Sequence, residues 1–289
     1  MAFYNVIKGT TAYYGIIGNP VKHSASPILH NAAFAKMKLD NIYHAIHADY
    51  NNLENVIKAL KVLGYRGFNV TVPFKEKILK YLDFIYPSAA ELGAVNTVIN
   101  KNGKLLGYNT DGDGFVLFMD EEKLDITNKK ITLLGAGGSA KSIAYSLANK
   151  KVESINVINR SIDNANIIQS LLKKCNPELQ CNVMTFSNKN CNETISSSDI
   201  IIQTTPIGMT PKAENSILET DIFFNKNQIL IDIIYSPKNT KIMKLAAKKG
   251  CKVFNGIGML AGQGVLGFEK FTGQKVPYLF YNQLLTKNL

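Results

Sequence analysis

Three polar side chains crowd one apolar stretch, Phe68-Asn69-Val70-Thr71-Val72-Pro73-Phe74-Lys75. An amide and a hydroxyl exchange hydrogen bonds with a ligand's hydroxyl groups, and an ammonium stabilises negative charge that develops on oxygen. Together they suit a small, oxygen-rich molecule. Asn69 and Thr71 are two apart, so a strand over residues 67–72 points both to one face and points Val70 and Val72 to the other. Val-Pro ends such a strand, because proline lacks the donor and restricts the residue before it. Lys75 is then expected at the strand's C-terminal mouth, at the start of a helix over residues 76–82. Open α/β sheets bind ligands at that end. The plain alternative is a strand with two solvated polar residues and a surface lysine.

Three further segments are dense in polar groups. Ser24-Ala25-Ser26 precedes a helix, where two hydroxyls can hold a carboxylate at the helix N-terminus; simple capping is the alternative. Asn96-Thr97 opens a strand after Gly93-Ala94-Val95. Tyr108-Asn109-Thr110-Asp111-Gly112-Asp113-Gly114 lies where two α/β units meet in the sequence. There Asp111 could face a substrate and a cofactor, or could cap the helix expected over residues 115–121. No cluster of residues suggests a metal site, so none is expected.

Gly135-x-Gly137-x-x-Ala140 follows an apolar strand and opens a helix, the context a dinucleotide-binding turn requires. The first glycine permits the tight turn and the second lets a pyrophosphate approach the backbone. The helix N-terminus then supplies unpaired N–H groups. NAD enzymes place Asp or Glu at the end of the next strand. Here Asn159-Arg160-Ser161 stands there, with no carboxylate before Asp163. An arginine suits the 2′-phosphate of NADP by charge and by stacking. Arg160 is one of only two arginines in the chain.

The elements that must carry these residues follow from periodicity. Strands are expected over residues 14–18, 43–48 and 67–72, with helices over 27–37 and 52–63. The second helix has Leu53, Val56, Ile57, Leu60 and Leu63 on one face. Ser26 fits the N-cap of the first helix and Pro27 its first position. Strands over 96–99 and 104–108 flank the turn signal Lys101-Asn102-Gly103. From about residue 128 a second unit begins, with strands over 130–134, 155–158, 200–204, 229–234 and 252–254 and helices such as 141–149 and 240–249. Long helices over 259–271 and 277–285 close the chain, and residues 187–198 read as irregular surface. The expected fold is two doubly wound α/β domains, the C-terminal one of Rossmann type.

Composition limits the function classes. A chain of 289 residues with 46% hydrophobic content buries a real core. No apolar run approaches the ~20 residues that span a bilayer. Residues 1–5 lack the features of a signal peptide, and the four cysteines form no CxxC pair, so free thiols in the cytoplasm are expected. The net charge of +11 comes almost wholly from scattered lysines, with no basic run interleaved with aromatics. A solvated surface explains it better than nucleic-acid binding.

On these residues the chain resembles the shikimate dehydrogenase family. The resemblance is carried by Gly18-Asn19-Pro20 leading to His23-Ser24-x-Ser26-Pro27, the segment 68–75, Gly93-Ala94-Val95-Asn96-Thr97, and Asn109-Thr110-Asp111-Gly112. It continues through Gly135-Ala136-Gly137-Gly138, Asn159-Arg160-Ser161, Thr205-Pro206-x-Gly208-Met209, Asp232-x-x-Tyr235-x-Pro237 and Gly258-Met259-Leu260-x-x-Gln263. These matches run in family order across nearly the whole chain. The resemblance implies reversible NADPH-dependent reduction of 3-dehydroshikimate to shikimate, in aromatic amino-acid biosynthesis. It also implies a discontinuous substrate domain (residues 1–111 plus 257–289) around an NADP domain (112–256), working as a monomer or homodimer.

By motif position, Ser24, Ser26 and Tyr235 would hold the substrate carboxylate, and Asn69, Thr71, Asn96 and Gln263 the ring hydroxyls. Lys75 and Asp111 would be the catalytic pair. Gly135, Ala136, Gly137, Gly138, Ser139, Asn159, Arg160, Ser161, Thr205, Gly258 and Met259 would line the NADP site. The chain departs from the family in three places: Asn164 where a second basic residue is common, Ala25 for a lysine, and Gln203 for an asparagine. The chemistry leaves Lys75 as proton donor or as electrostatic stabiliser of the reacting oxygen. A quinate/shikimate dehydrogenase with relaxed cofactor use is the nearest competing enzyme. A cofactor-binding paralogue without catalysis is the alternative from another class.

Overall fold

The computed structural model describes residues 6–289. Residues 1–5, read above for a targeting signal, lie outside the described residues. The chain divides into two compact units. One contains the described residues up to Thr110 together with Gln263–Leu285, and the other contains Asp111–Gly262 and Thr286–Leu289.

The first unit is built from β1 (Ala12–Gly18), α1 (Ser26–Lys36), β2 (Asn41–His47), α2 (Leu53–Val62), β3 (Gly67–Val70), β4 (Phe84–Ile85), α3 (Pro87–Leu92), β5 (Thr97–Lys101) and β6 (Lys104–Tyr108). Its sheet has the order β2-β1-β3-β5-β6-β4. β1 lies parallel to β2 and β3, and β5 is antiparallel to β3 and β6. The β5–β6 hairpin turns at Asn102 and Gly103, with φ of 53° and 81°. Positive φ at both central positions is what a type I′ turn needs, and it matches the twist of the flanking strands. Leu53, Ile57 and Leu60 of α2 pack with Phe68 and Val70 of β3 in one buried cluster. Leu63, expected on the same face, is exposed just past the end of the helix.

Three local expectations need correction. β3 stops at Val70, so Thr71 and Val72 lie outside the strand. Pro73 offers no N–H for a ladder, and the chain turns out there, Phe74 N bonding back to Thr71 O at 2.9 Å. Val72 is therefore 65% exposed, whereas Val70 is buried. The helix expected over 76–82 is only a short 3-10 turn, Lys77–Tyr81, and it does not begin at Lys75. Ser26 is the first residue of α1 rather than its cap; Ala25 holds the cap position and no side chain caps the helix.

The second unit comprises α4 (Asp111–Glu121), β7 (Lys130–Leu134), α5 (Gly138–Ala148), β8 (Ser154–Ile158), α6 (Ile162–Cys175), β9 (Gln180–Met184), α7 (Cys191–Ser196), β10 (Ile200–Gln203), β11 (Ile229–Asp232), α8 (Lys241–Lys248) and β12 (Lys252–Phe254). All its strand pairs are parallel, in the order β12-β11-β10-β7-β8-β9. That is the doubly wound dinucleotide-binding order, and it reverses between β7 and β10. Runs such as Ile200–Gln203 are buried throughout, as parallel strands covered on both faces must be. The stretch 187–198, read as irregular, contains α7. Cys191 and Ile195, four residues apart on one helical face, are both buried and anchor it.

α9 (Ile257–Thr272) passes from the second unit to the first at Gln263, and α10 (Tyr278–Asn288) follows. A Cβ on Gly258 would strike the Phe118 ring, and one on Gly262 would strike Gly114 O. The absence of side chains thus lets the start of α9 pack on α4. Asp111 and residues 257–262 consequently fall in the second unit, where the sequence reading had put them in the first. Among the described residues, no helix is long and apolar enough to cross a membrane.

Candidate active site

In the first unit, the polar motifs converge on Asn69, which is buried on β3. Its Nδ2 donates to Asn96 O and to Thr97 Oγ1, each at 3.0 Å, and its Oδ1 accepts from the Tyr43 hydroxyl at 2.6 Å. Asn96 Oδ1 accepts from the Thr97 hydroxyl and from the Thr110 amide, both at 2.9 Å. The Thr110 hydroxyl lies 3.4 Å from Gln263 O. Such buried amides and hydroxyls are tolerated because each is partnered. Among the described residues, no buried side-chain nitrogen or oxygen lacks a partner.

Of the remaining expected residues of this unit, Ser24, Thr71 and Lys75 lie on loops, Ser26 opens α1 and Gln263 lies in α9. Gly18 has no Cβ, which lets the Thr71 methyl come close against the end of β1. Lys75 is half-buried, and its carbonyl accepts from Val95 N at 2.8 Å, one residue before Asn96. Ser24 Oγ accepts from Ser26 N at 3.3 Å, which leaves the Ser24 hydroxyl proton for another acceptor. Ser26 is buried beside it.

Asp111 and Tyr235 belong to the second unit. Asp111 is buried in the first turn of α4. Tyr235 is half-buried, and burial raises its hydroxyl pKa. The Asp232 carboxylate sets the segment leading to Tyr235, accepting from Ile234 N at 3.0 Å and from the Thr240 hydroxyl at 2.7 Å. Burial pushes the Asp232 carboxyl up to about 6.

The glycine turn after β7 has the features a dinucleotide requires. Gly135 has φ +113°, and a Cβ there would meet Thr204 Oγ1 at 2.6 Å. Beyond Gly137 and Gly138 nothing lies within 4 Å of where a Cβ would be, so the N-terminus of α5 opens onto free space. That helix starts at Gly138, three residues before the expected position, so Gly138 and Ser139 stand in its first turn. Amides there are left for an anion. At the end of β8, Asn159 Nδ2 donates to Ser161 O at 2.8 Å, and Ser161 Oγ accepts from Asn164 N to cap α6. Arg160 is exposed between them. This donor set, with a cation and no carboxylate at the strand end, fits a phosphorylated dinucleotide. Met259, next to Gly258 in α9, is buried.

Two further residues support the site, one marked in the sequence only as a departure from the family and the other not marked at all. Gln203 folds the loop after β10: its Oε1 accepts from Thr205 N and from the Thr205 hydroxyl, and its Nε2 donates to Thr205 O and Ile207 O. The departure at Gln203 thus holds Thr205 in place. Tyr43 appeared only as an apolar strand residue, and its link to Asn69 spans 26 positions. No local pattern encodes such a contact.

Residues 16–98 match the family described as the shikimate dehydrogenase substrate binding domain. Residues 119–254 match shikimate / quinate 5-dehydrogenase, and residues 256–278 the shikimate 5′-dehydrogenase C-terminal domain. A shikimate dehydrogenase (NADP(+)) of Bacillus cereus is 43% identical over 277 residues, covering 96% of this chain and 98% of that protein. One from Alkaliphilus oremlandii is 39% identical over 280 residues, covering 97% and 98%. The solved shikimate 5-dehydrogenase of Listeria monocytogenes, in complex with shikimate and NAD, superposes with a TM-score of 0.90. It is 34% identical and covers 96% of this chain and 98% of that one.

Proposed function

The chain belongs to the shikimate dehydrogenase family, and from that premise we propose that it catalyses the reversible NADPH-dependent reduction of 3-dehydroshikimate to shikimate, a step of aromatic amino-acid biosynthesis. One observation carries the assignment of roles. The Val95 amide, next in the chain to Asn96, bonds the Lys75 carbonyl and so ties the lysine's backbone to the buried Asn69–Asn96 network. The segments proposed to supply charge and hydroxyl recognition are thereby joined by a backbone bond.

NADPH, when bound, is the source of hydride for the carbonyl carbon. Gly135, Ala136, Gly137, Gly138 and Ser139 would hold its pyrophosphate, and Asn159, Arg160, Ser161 and Thr205 its adenosine end. Gly258 and Met259 would pack near the nicotinamide. Ser24, Ser26 and Tyr235 hold the substrate carboxylate, and Asn69, Thr71, Asn96 and Gln263 hold its ring hydroxyls. The Lys75 ammonium stabilises the charge that builds on the reacting oxygen and passes a proton from Nζ to that oxygen. Asp111 orients Lys75 and balances its charge. The first unit would be the substrate domain and the second the NADP domain. A cytoplasmic setting, where the four free cysteines stay reduced, and a monomer or homodimer complete the reading.

Initial rates with shikimate and with quinate, each against NADP+ and NAD+, test this. The expected result is a large kcat/KM advantage for shikimate with NADP+. Equal or faster turnover of quinate would move the chain to the quinate-using branch, and no turnover with any pair would mark a paralogue without catalysis.

A further inference from the structure

The orientation of the Asn69 amide is fixed by its neighbours. Asn96 O is a backbone carbonyl and can only accept, so the nitrogen of Asn69 must face it, and both Nδ2 protons are spent on Asn96 O and Thr97 Oγ1. The Tyr43 hydroxyl must then donate to Oδ1, which it does at 2.6 Å. One lone pair on Oδ1 is the capacity that remains. Any substrate hydroxyl that meets Asn69 is therefore a donor to it.

Tyr43 is itself held on every side. It is buried, its ring stacks on His30 at 4.5 Å and 26°, and its backbone is clamped by Asn31 through bonds of 2.7 and 2.8 Å. Asn31 lies in α1, whose first residue is Ser26, and the Ser26 side chain adjoins the Tyr43 hydroxyl. One phenol thus touches Asn69 on β3 and Ser26 at the start of α1.

We propose that Tyr43 is a positioning residue for substrate: its hydroxyl anchors the Asn69 acceptor oxygen in place and sets the spacing between the ring-hydroxyl contacts and the carboxylate contact at Ser26. The inference rests on the substrate roles proposed above for Asn69 and Ser26. Loss of the hydroxyl leaves Asn69 held by its two Nδ2 bonds alone, and an Oδ1 without its second anchor shifts from the substrate hydroxyl and weakens recognition without touching the cofactor.

In the full-length enzyme, Tyr43→Phe should raise KM for shikimate about 10-fold, the factor that corresponds to one lost hydrogen bond. KM for NADP+ should not change. In an Asn69→Ala background, Tyr43→Phe should add less than about twofold, because the two residues act through one contact. Asn31→Ala, which releases the Tyr43 backbone, should also raise KM for shikimate alone, and it decides the matter should Tyr43→Phe fail to accumulate. An unchanged shikimate KM in Tyr43→Phe would overturn the proposal. So would an equal effect with and without Asn69, which would make Tyr43 a packing residue. A normal KM in Asn69→Ala would instead remove the substrate role of Asn69 itself, and this inference with it.

Discussion

The Thr110 amide donates to Asn96 Oδ1 at 2.9 Å, and Asn96 Nδ2 donates in return to the Thr110 hydroxyl at 3.0 Å. Each residue thereby satisfies the other, through side chain and backbone at once. Their neighbours in the chain lead to the proposed catalytic pair: Val95 bonds the Lys75 carbonyl, and Asp111 follows Thr110. A reciprocal pair of this kind limits how far either neighbour can drift.

Lys75→Ala and Asp111→Ala should each lower kcat by at least ~100-fold, with smaller changes in KM for NADP+. Steady-state rates in the direction of shikimate oxidation provide the check. Near-normal kcat in both variants would remove the proposed pair.

Ser24 and Ser26 should separate in a KM series. The Ser24 hydroxyl oxygen already accepts from Ser26 N, so its proton is available to a carboxylate. A hydrogen bond to a charged group is worth ~1.5–3 kcal/mol. Ser24→Ala should therefore raise KM for shikimate by roughly 10-fold or more. Ser24→Gly should also narrow the preference for shikimate over quinate. Wild-type KM values in Ser24→Ala and Ser26→Ala alike would rule out the carboxylate contact.

Cofactor choice should depend on Arg160. Replacing it with alanine should raise KM for NADPH by roughly 10-fold or more while NADH kinetics barely change, since NADH has no 2′-phosphate. Asn164→Lys keeps the backbone N–H that Ser161 accepts. It should tighten NADPH only modestly, because its charge would be exposed and screened. Wild-type enzyme that uses both cofactors equally would show that Arg160 does not read the phosphate.

His30 should make the first unit sensitive to acid. Burial lowers its pKa from 6.5 to about 3. The folded state therefore keeps a neutral ring where the unfolded chain takes a proton. The sign follows: stability is fully present above pH 6.5 and is lost as pH falls from 6.5 toward 3. The urea midpoint of wild type should drop between about pH 7.5 and 5, and that of His30→Phe should drop less. The variant should be weaker at the higher pH, since the Tyr281 hydroxyl loses His30 Nδ1 as a partner. Parallel pH dependences in the two proteins would acquit His30.

What could be read in the sequence was local. The Gly135 turn, Arg160 at a strand end and the Asn102-Gly103 hairpin depend on a few consecutive residues, and their backbone angles follow from residue type. The end of β3 was harder to place, because Val72 has strand propensity and only the turn closed by Phe74 N on Thr71 O shows that the strand has stopped. α7 was hidden because its apolar face is just Cys191 and Ile195 within a polar stretch. Tyr43 was illegible for another reason: a tyrosine that holds a site residue and one that only fills the core look alike until Asn69, 26 positions away, is brought to its hydroxyl.

The return of the chain to its first unit at Gln263 has a consequence for synthesis. A nascent chain emerges N-terminus first, so Tyr14, His30, Phe34 and Tyr43 are made long before Phe268, Phe271 and Tyr281, the rings they pack against. The second unit lacks only Thr286–Leu289 once Gly262 has left the ribosome, whereas the first still presents an uncovered aromatic face. A message truncated after residue 262 would thus yield one nearly finished body and one sticky one, prey to aggregation and proteases.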